Sequence, residues 1–120
     1  MIVDAGTGAW LDAPGELPGE IVALLCTHYF RDHAAGAFRA AAVGIPVYVP
    51  EGERELFEEP ALHFLRRESF VAYTNTWDHF APIAPVPVAG VLRDYELLRL
   101  AGLDLEVVPL PGAAVTQVGV

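Results

Sequence analysis

The chain has 120 residues, 53% of them hydrophobic, and its 16 acidic and 7 basic residues give a formal net charge of −9 at pH 7. This length predicts a single domain over residues 1–120. The acidic balance argues against binding to nucleic-acid phosphates or to an anionic membrane surface. No apolar run reaches the about 18 residues of a membrane-spanning helix, so neither nucleic acid nor membrane is predicted as a partner.

The apolar surplus predicts either a sheet buried on both faces or a surface for self-association or a partner chain. The single cysteine, Cys26, lies inside an apolar run, which excludes an internal disulfide and predicts a small core residue. The N-terminal stretch "MIVDAGTGAW" has neither the positive region nor the long apolar region of a signal peptide. We therefore predict a cytoplasmic protein.

Along the first third of the chain, strands and a helix are predicted to alternate. Residues 1–4 and 20–27 are apolar runs typical of buried strands, and a loop containing two prolines separates them. Residues 32–44 are rich in alanine and predict a helix, with Asp32 as its N-cap and Gly44 as its C-terminal stop.

The next segments complete a strand–helix–strand unit. Residues 45–50 predict a third buried strand, so the strands within residues 20–50 are expected to run parallel. The acidic stretch 51–59 predicts a short helix with a solvated face, ended by Pro60, and residues 61–68 predict further helical turns.

The remaining segments predict a loop and two strands. The proline-rich stretch 77–91 predicts an extended surface loop. Residues 103–110 predict a strand, and a further strand begins at residues 115–120. A strand that begins in the last six residues predicts an incomplete fold, because it would have an unpaired edge.

A cluster of metal-ligating residue types stands in the stretch "LLCTHYFRDHAAG". His28, Asp32 and His33 lie within six positions, directly after an apolar run. Imidazole and carboxylate are common zinc ligands, so the cluster predicts a metal site. Phe30 stands between the two histidines and has no lone pair to donate.

This stretch resembles the H-x-H-x-D-H loop of the metallo-β-lactamase fold hydrolases. His28, Asp32 and His33 match that motif, and Phe30 takes the place of its second histidine. The turn "IVDAGTG", with Asp4, resembles the family's earlier strand end. The stretch "VVPLPGAAVTQVGV" resembles the family's strand followed by P-G-H-T, but Ala113 stands where that histidine belongs.

The resemblance implies an α/β fold, namely the N-terminal part of a metallo-β-lactamase αββα sandwich, incomplete at both ends. It implies zinc at His28, Asp32 and His33, with Asp32 as the catalytic residue that orients a metal-bound hydroxide. In the family, the first zinc site uses the positions of His28, Phe30 and Ala113, so here it keeps only His28. The second site keeps Asp32 and His33.

Two functions remain open from the sequence. The first is a hydrolase domain by descent, impaired or inactive as this chain, whose intact relatives cleave ester, thioester or lactam-type bonds of small molecules. The second is a non-catalytic binding or assembly module in which Phe30 and Ala113 convert the metal pocket to packed core, with no zinc bound. The second hypothesis predicts that Phe30 and Ala113 lie close together.

Other polar residues have simpler interpretations. Asp4 is predicted to order the backbone of its loop, and Asp32 can serve as a helix cap with or without a ligand role. His63 and His79 are predicted to be ordinary histidines, although His79 follows Trp77 and Asp78 in a stretch that can border a pocket.

Overall fold

The computed structural model of the chain describes residues 1–17, 19–61, 84–112 and 114–120. A four-stranded sheet forms its centre, with strands in the order β1 (Ile2–Val3), β2 (Leu24–Leu25), β3 (Val47–Pro50) and β4 (Val88–Leu92). Every neighbouring pair is parallel. The predicted α/β class and the parallel pairing within residues 20–50 are confirmed, although β1 and β2 are shorter than their apolar runs.

Short helices accompany the strands, as the alanine-rich and acidic stretches predict. They are α1 (Arg31–Ala34), α2 (Ala37–Ala42) and α3 (Arg54–Glu58), and 3₁₀ turns span Ala9–Asp12, Pro14–Glu16 and Glu51–Glu53. The chain leaves α2 through Gly44, whose φ of 86° is the left-handed conformation expected of a glycine stop.

The single helix predicted over residues 32–44 is wrong, because the structure divides it at residues 35 and 36. The backbone of Gly36 packs directly against the loop at Gly6 and Gly8, and its N–H donates to the Gly6 carbonyl at 2.8 Å. A Cβ atom at Gly36 would lie 2.4 Å from the Gly8 nitrogen. Close approach of two backbones therefore accounts for glycine at this break.

The predicted N-cap role of Asp32 is also wrong. Helix α1 begins at Arg31, two residues before the start that an Asp32 cap requires, so Phe30 is the N-cap and makes no side-chain capping hydrogen bond. Asp32 lies in the first turn with an exposed side chain. The earlier start releases its carboxylate from the backbone, and a carboxylate in the first turn also suits the helix dipole.

The prediction of a surface loop across residues 77–91 is wrong at its C-terminal end. Residues 88–91 belong to β4, which pairs with β3 through Val47–Val88 and Tyr48–Gly90, with a register shift between the two pairs. The last proline of the stretch is Pro87, one residue before the strand, so it removes no donor from the ladder. A Cβ at Gly90 would lie 2.7 Å from the Tyr48 ring, which explains glycine inside the strand.

The last third of the described chain forms two antiparallel pairs, β5 (Leu97–Leu100) with β6 (Leu103–Glu106) and β7 (Val108–Pro109) with β8 (Val118–Gly119). The single strand predicted over residues 103–110 is therefore divided, because the chain changes partner from β5 to β8 after Val107. The strand predicted within residues 115–120 is confirmed at β8.

Apolar side chains cover both faces of the sheet. Leu24, Cys26 and Val47 alternate with Leu25 and Tyr48 along β2 and β3, as the pleat requires. The first face packs against α1, α2 and α3 through Ala34, Ala37, Ala40 and Phe57. The second packs against residues that include Leu92, Leu98, Leu105 and Val118. Much of the apolar surplus is thus used within the chain.

Several predictions fall on residues outside the described part. They are the helical turns over 61–68 beyond Ala61, residues 77–83 of the predicted loop, and the positions of His63, His79 and Ala113. In the ranges that the structure does describe, no helix has the length and apolar character needed to cross a membrane.

Candidate metal centre

The candidate centre lies where β1 and β2 end. Because these strands are parallel, their carboxyl ends meet at one edge of the sheet, which is the edge where open α/β folds bind ligands. Asp4 follows β1 directly, and Thr27 and His28 follow β2 at a distance of two and three residues. Helix α1 begins shortly afterwards and carries Asp32 and His33.

The three predicted ligands converge. His28, Asp32 and His33 each offer one ligand atom, and these atoms all lie within 4.8 Å of one another. The two imidazole rings have centroids 4.3 Å apart. His28 is buried, His33 is partly exposed and Asp32 is exposed, so the group is open to solvent on the Asp32 side.

Asp4 holds the loop that carries His28. Asp4 has a φ of 59°, a left-handed conformation that aspartate tolerates better than most residues. The Thr27 backbone N–H donates to Asp4 Oδ1 at 2.8 Å, and Thr27 Oγ1 lies 2.9 Å from Asp4 Oδ2. Asp4 therefore orders backbone and loop, as its sequence position indicates.

The same contacts determine which nitrogen of His28 carries its proton. Thr27 Oγ1 is 2.8 Å from His28 Nδ1. The Thr27 hydroxyl has one proton and the Asp4 carboxylate can only accept, so the hydroxyl donates to Asp4 and accepts from the Nδ1–H of His28. The lone pair of His28 is then at Nε2, and such an outer hydrogen bond is typical of metal-ligating histidines.

The ionisation of His28 also suits a metal-ligating histidine. Burial lowers the pKa of His28, and the neighbouring His33 lowers it further, while Asp4 and Asp32 oppose the shift. Burial outweighs the two carboxylates because the residue is 2% exposed. The neutral imidazole is the form that binds a metal.

His33 shows a polar atom without a partner. Its Nδ1 is buried and has no hydrogen bond, although Asp32 Oδ1 is 3.2 Å away, so that contact has the distance but not the geometry of a hydrogen bond. An unsatisfied buried nitrogen is costly unless something else completes it. Two imidazoles and one carboxylate are a donor set that zinc and other divalent transition metals accept. The residues present therefore fit one metal ion.

Phe30 lies beside the three predicted ligands and is not one of them. Its ring is partly buried against the core, and its centroid is 5.0 Å from that of His28 in an edge-to-face arrangement. It contributes an apolar wall where the resemblance implies a ligand. Ala113 is not among the described residues, so the predicted closeness of Phe30 and Ala113 remains a prediction.

The sequence analysis missed Glu53 by assigning the acidic stretch 51–59 to a solvated face. Glu53 is only 1% exposed, and its Oε1 accepts a hydrogen bond from Thr116 Oγ1 at 2.8 Å. The backbone N–H of Tyr29 also donates to this carboxylate. Burial raises the pKa of Glu53 to about 7, against the effect of these two hydrogen bonds. The residue that distinguishes Glu53 from its solvated neighbours is Thr116, which is sixty-three positions away in the sequence, so a local pattern could not reveal the contact.

Cys26 and a neighbouring cavity complete this edge. Cys26 is fully buried, as predicted, and burial together with the charges of Asp4 and Glu53 raises the pKa of its thiol. A cavity of about 400 Å³ opens at the carboxyl ends of β3 and β4. Its described lining includes Pro50, Gly52, Arg93 and Thr116.

Comparisons with known proteins point to one fold. No protein-family model matches the chain, and no curated protein sequence matches it. The solved structure of the FEZ-1 metallo-β-lactamase from Legionella gormanii is similar over 98% of this chain and 45% of that chain, with 19% identity and a TM-score of 0.70.

Two further structures are 25% identical to this chain. A metallo-β-lactamase family protein from Thermus thermophilus is similar over 97% of this chain and 44% of that chain, with a TM-score of 0.65. A protein solved in a di-iron-bound form is similar over 97% of this chain and 52% of that chain, with a TM-score of 0.53.

The match extends over almost the whole chain but over about half the length of these structures. In the described part of this chain, the matched region includes the parallel sheet and the helices that cover one of its faces. This chain is therefore related in fold to the metallo-β-lactamases and spans about half of that fold.

Proposed function

We propose that this chain is a metallo-β-lactamase-like hydrolase domain by descent, with a reduced centre that holds one metal ion through His28, Asp32 and His33. The convergence of three ligand atoms within 4.8 Å carries the proposal. Zinc is the metal we propose, because two imidazoles and a carboxylate suit it. The di-iron-bound relative makes iron the first competitor.

The residues of this chain have distinct parts in the proposed chemistry. A bound zinc ion would supply a Lewis acid and lower the pKa of a coordinated water. Asp4 and Thr27 hold His28 with its Nε2 lone pair free. Asp32 is exposed beside the ligand group, where its carboxylate can accept a hydrogen bond from a water and orient it.

The proposed activity is impaired relative to intact relatives. The substrates we propose are small molecules with ester, thioester or lactam-type bonds. A two-metal site polarises both the attacking and the leaving oxygen. The ring of Phe30 lies 5.0 Å from that of His28 and offers no ligand for a second ion. A single ion could activate a water molecule, but no second positive charge would stabilise the leaving group.

Metal content and hydrolysis of the purified chain test this proposal together. The chain is purified without chelator or added metal, its zinc and iron are measured by elemental analysis, and ester, thioester and lactam reporters are assayed. About one zinc per chain with slow hydrolysis that chelator removes supports the proposal. No metal uptake even from excess zinc contradicts it, since the centre is its basis.

A non-catalytic module is the second candidate, and the packing of Phe30 favours it. The ring packs against the core and against His28. Burying an apolar ring where a ligand would stand avoids an unpaired polar group. Absence of bound zinc, together with absence of chelator-sensitive hydrolysis, would favour this candidate over the enzyme.

Self-association is proposed for the apolar side chains that remain exposed. Leu97 is 77% exposed and Val115 is 90% exposed, and Val3 at the β1 edge is 47% exposed. Strand edges and apolar side chains of this kind pair with further chains. We expect light scattering to show a concentration-dependent increase in mass. The acidic charge supports a partner that is neither nucleic acid nor membrane. We also keep the cytoplasm as the proposed location.

A further inference from the structure

Glu53 is the buried ionisable group that the proposed chemistry does not use. It lies at the end of the 3₁₀ turn Glu51–Glu53, directly before α3. Its side chain is 1% exposed, and no basic side chain forms an ion pair with it among the described residues. Burying a carboxyl group without an ion pair is energetically costly, so the contacts that Glu53 makes indicate its structural role.

Two contacts of Glu53 join segments far apart in sequence. Thr116 Oγ1 donates to its Oε1 at 2.8 Å, which anchors the segment before β8. The backbone N–H of Tyr29 donates to the same carboxyl group. Tyr29 directly follows His28, so Glu53 acts on the backbone that carries the buried ligand.

Close packing supports this arrangement independently. A Cβ atom at Gly52 would lie 2.6 Å from Thr116 Cγ2, so the absence of a side chain at Gly52 lets Thr116 approach Glu53. The Val118 N–H donates to the Thr27 carbonyl at 3.0 Å, which ties the same C-terminal segment to the residue before His28. The segment from His28 to His33, here called the metal loop, is therefore held by Asp4 on one side and by Glu53 and Thr116 on the other.

We infer that Glu53 is a positioning residue that holds the His28 backbone in its ligating place by accepting hydrogen bonds from Tyr29 and Thr116. The inference rests on the proposed function for its metal readout and on the fold alone for its structural readout. Glu53 touches no metal ligand side chain in the described contacts. It acts through the Tyr29 amide and the segment at Thr116.

The charge of Glu53 also reaches Cys26. In addition to the effect of burial, Asp4 and Glu53 both raise the pKa of the Cys26 thiol. Oε2 of Glu53 is buried without a hydrogen-bond partner. A neutral carboxyl or a neutral amide at this position can still accept the hydrogen bonds of Tyr29 and Thr116, so Glu53→Gln is the conservative variant.

Zinc affinity of the full chain, measured against a competing chelator, gives the first readout. Glu53→Ala is expected to lower the affinity about 10–100-fold, the range found when groups that orient metal ligands are removed. Glu53→Gln is expected to restore it to within about threefold of the unaltered chain, because the acceptor is retained. Glu58→Gln removes the same charge from a partly exposed position of α3, where Glu58 pairs with Arg54 at the surface, and serves as the control.

Hydrogen exchange of the Tyr29 amide in the metal-free chain gives the second readout. We expect protection in the unaltered chain and in Glu53→Gln, and loss of protection in Glu53→Ala. If Glu53→Ala does not fold, Thr116→Val removes one hydroxyl at similar volume and must raise exchange at residues 116–118 and weaken zinc binding. Unchanged affinity and exchange in the folded variants would overturn the inference.

The two readouts separate the inference from the proposed function. If the unaltered chain binds no zinc but Tyr29 loses protection in Glu53→Ala, the metal proposal fails and the positioning contact stands. If zinc binds and neither variant changes affinity or exchange, the metal proposal stands and the positioning role of Glu53 fails. A general loss of stability in Glu53→Ala with unchanged zinc affinity of the folded protein also contradicts the inference.

Discussion

The metal loop and the Glu53 contact each contain a buried polar atom without a hydrogen-bond partner, yet the two regions differ in what surrounds that atom. His33, whose Nδ1 is the unpartnered atom, belongs to a group of three candidate ligands with one atom each within 4.8 Å of the others. At Glu53, Oε2 has no hydrogen-bond partner, while Oε1 of the same carboxyl group accepts from Thr116 Oγ1. The group at His33 can bind a metal ion, whereas the buried carboxyl group of Glu53 is more readily protonated. An unsatisfied polar atom is therefore informative only together with the groups that face it.

Removing a metal ligand gives the largest effect and tests the metal side of the comparison. We expect His28→Ala to weaken zinc binding by more than the about 100-fold found for orienting groups, since it deletes the buried ligand itself. Isothermal titration of the metal-free chain measures this. Asp94→Asn, at an exposed aspartate outside the ligand group, is the control. Equal zinc affinity of His28→Ala and the unaltered chain would show that His28 is not a ligand and that zinc binds at another place.

The pH dependence of stability tests the proton side. The pKa of Glu53 is raised from 4.5 to about 7 in the folded chain, so the folded state holds a proton that the unfolded state releases between those values. Stability is therefore highest at and below pH 4.5 for this group and falls by about 3 kcal/mol as the pH rises to 7. Urea unfolding at several pH values measures the slope.

Glu53→Gln is the matched variant for that slope. It keeps the shape of the side chain and cannot titrate, so this part of the pH dependence is expected to vanish between pH 4.5 and 7. Glu58→Gln, at a partly exposed position of α3, is expected to leave the slope in place. An unchanged slope in Glu53→Gln would show that another group titrates in this window.

The backbone contact that supports α1 gives the next effect. Gly36→Ala would bring a Cβ atom to 2.4 Å from the Gly8 nitrogen and 2.5 Å from its Cα. Backbone atoms cannot yield as a side chain does, so we expect a loss of about 1–3 kcal/mol in the free energy of unfolding. Gly15→Ala has no atom within 4 Å of the new Cβ and is the control. Equal stability of both variants would contradict the packing at Gly36.

Adding a ligand gives the smallest effect and sharpens the comparison in the other direction. The ring of Phe30 lies 5.0 Å from that of His28 at the place of the family's second histidine. We expect Phe30→His to tighten zinc binding about tenfold, or about 1.4 kcal/mol, at a modest cost in core packing. Phe30→Leu removes the ring without adding a ligand and separates the two causes. No gain over Phe30→Leu would favour the packed-core module.

The metal loop was the easiest part of the molecule to predict because its parts are local. His28, Asp32 and His33 lie within six positions, so the end of β2 and one helical turn bring them together. The fold followed from the order of three such motifs along the chain. The role of Asp4 in ordering its loop was also predicted correctly, since its carboxylate accepts hydrogen bonds from Thr27.

The errors fall where distant residues determine local structure. Asp32 is a residue type that often caps helices, but α1 begins at Arg31 and Asp32 therefore lies in its first turn. The helix predicted over 32–44 divides because Gly36 meets Gly8, twenty-eight positions earlier. Residues 88–91 follow a proline-rich stretch and still form β4, because the edge of β3 provides a partner for the ladder.

The sequence by itself determined the types and spacing of the candidate metal ligands, the parallel α/β character and the buried position of Cys26, since each depends on neighbours within one or two elements. Only the tertiary structure decided the roles of Glu53 and Thr116. A glutamate in "EGERELFEE" is indistinguishable from its solvated neighbours until Thr116 and the Tyr29 amide are brought to it. Burial is a property of the folded chain, and it converts one acid of that stretch from a surface charge into an internal contact.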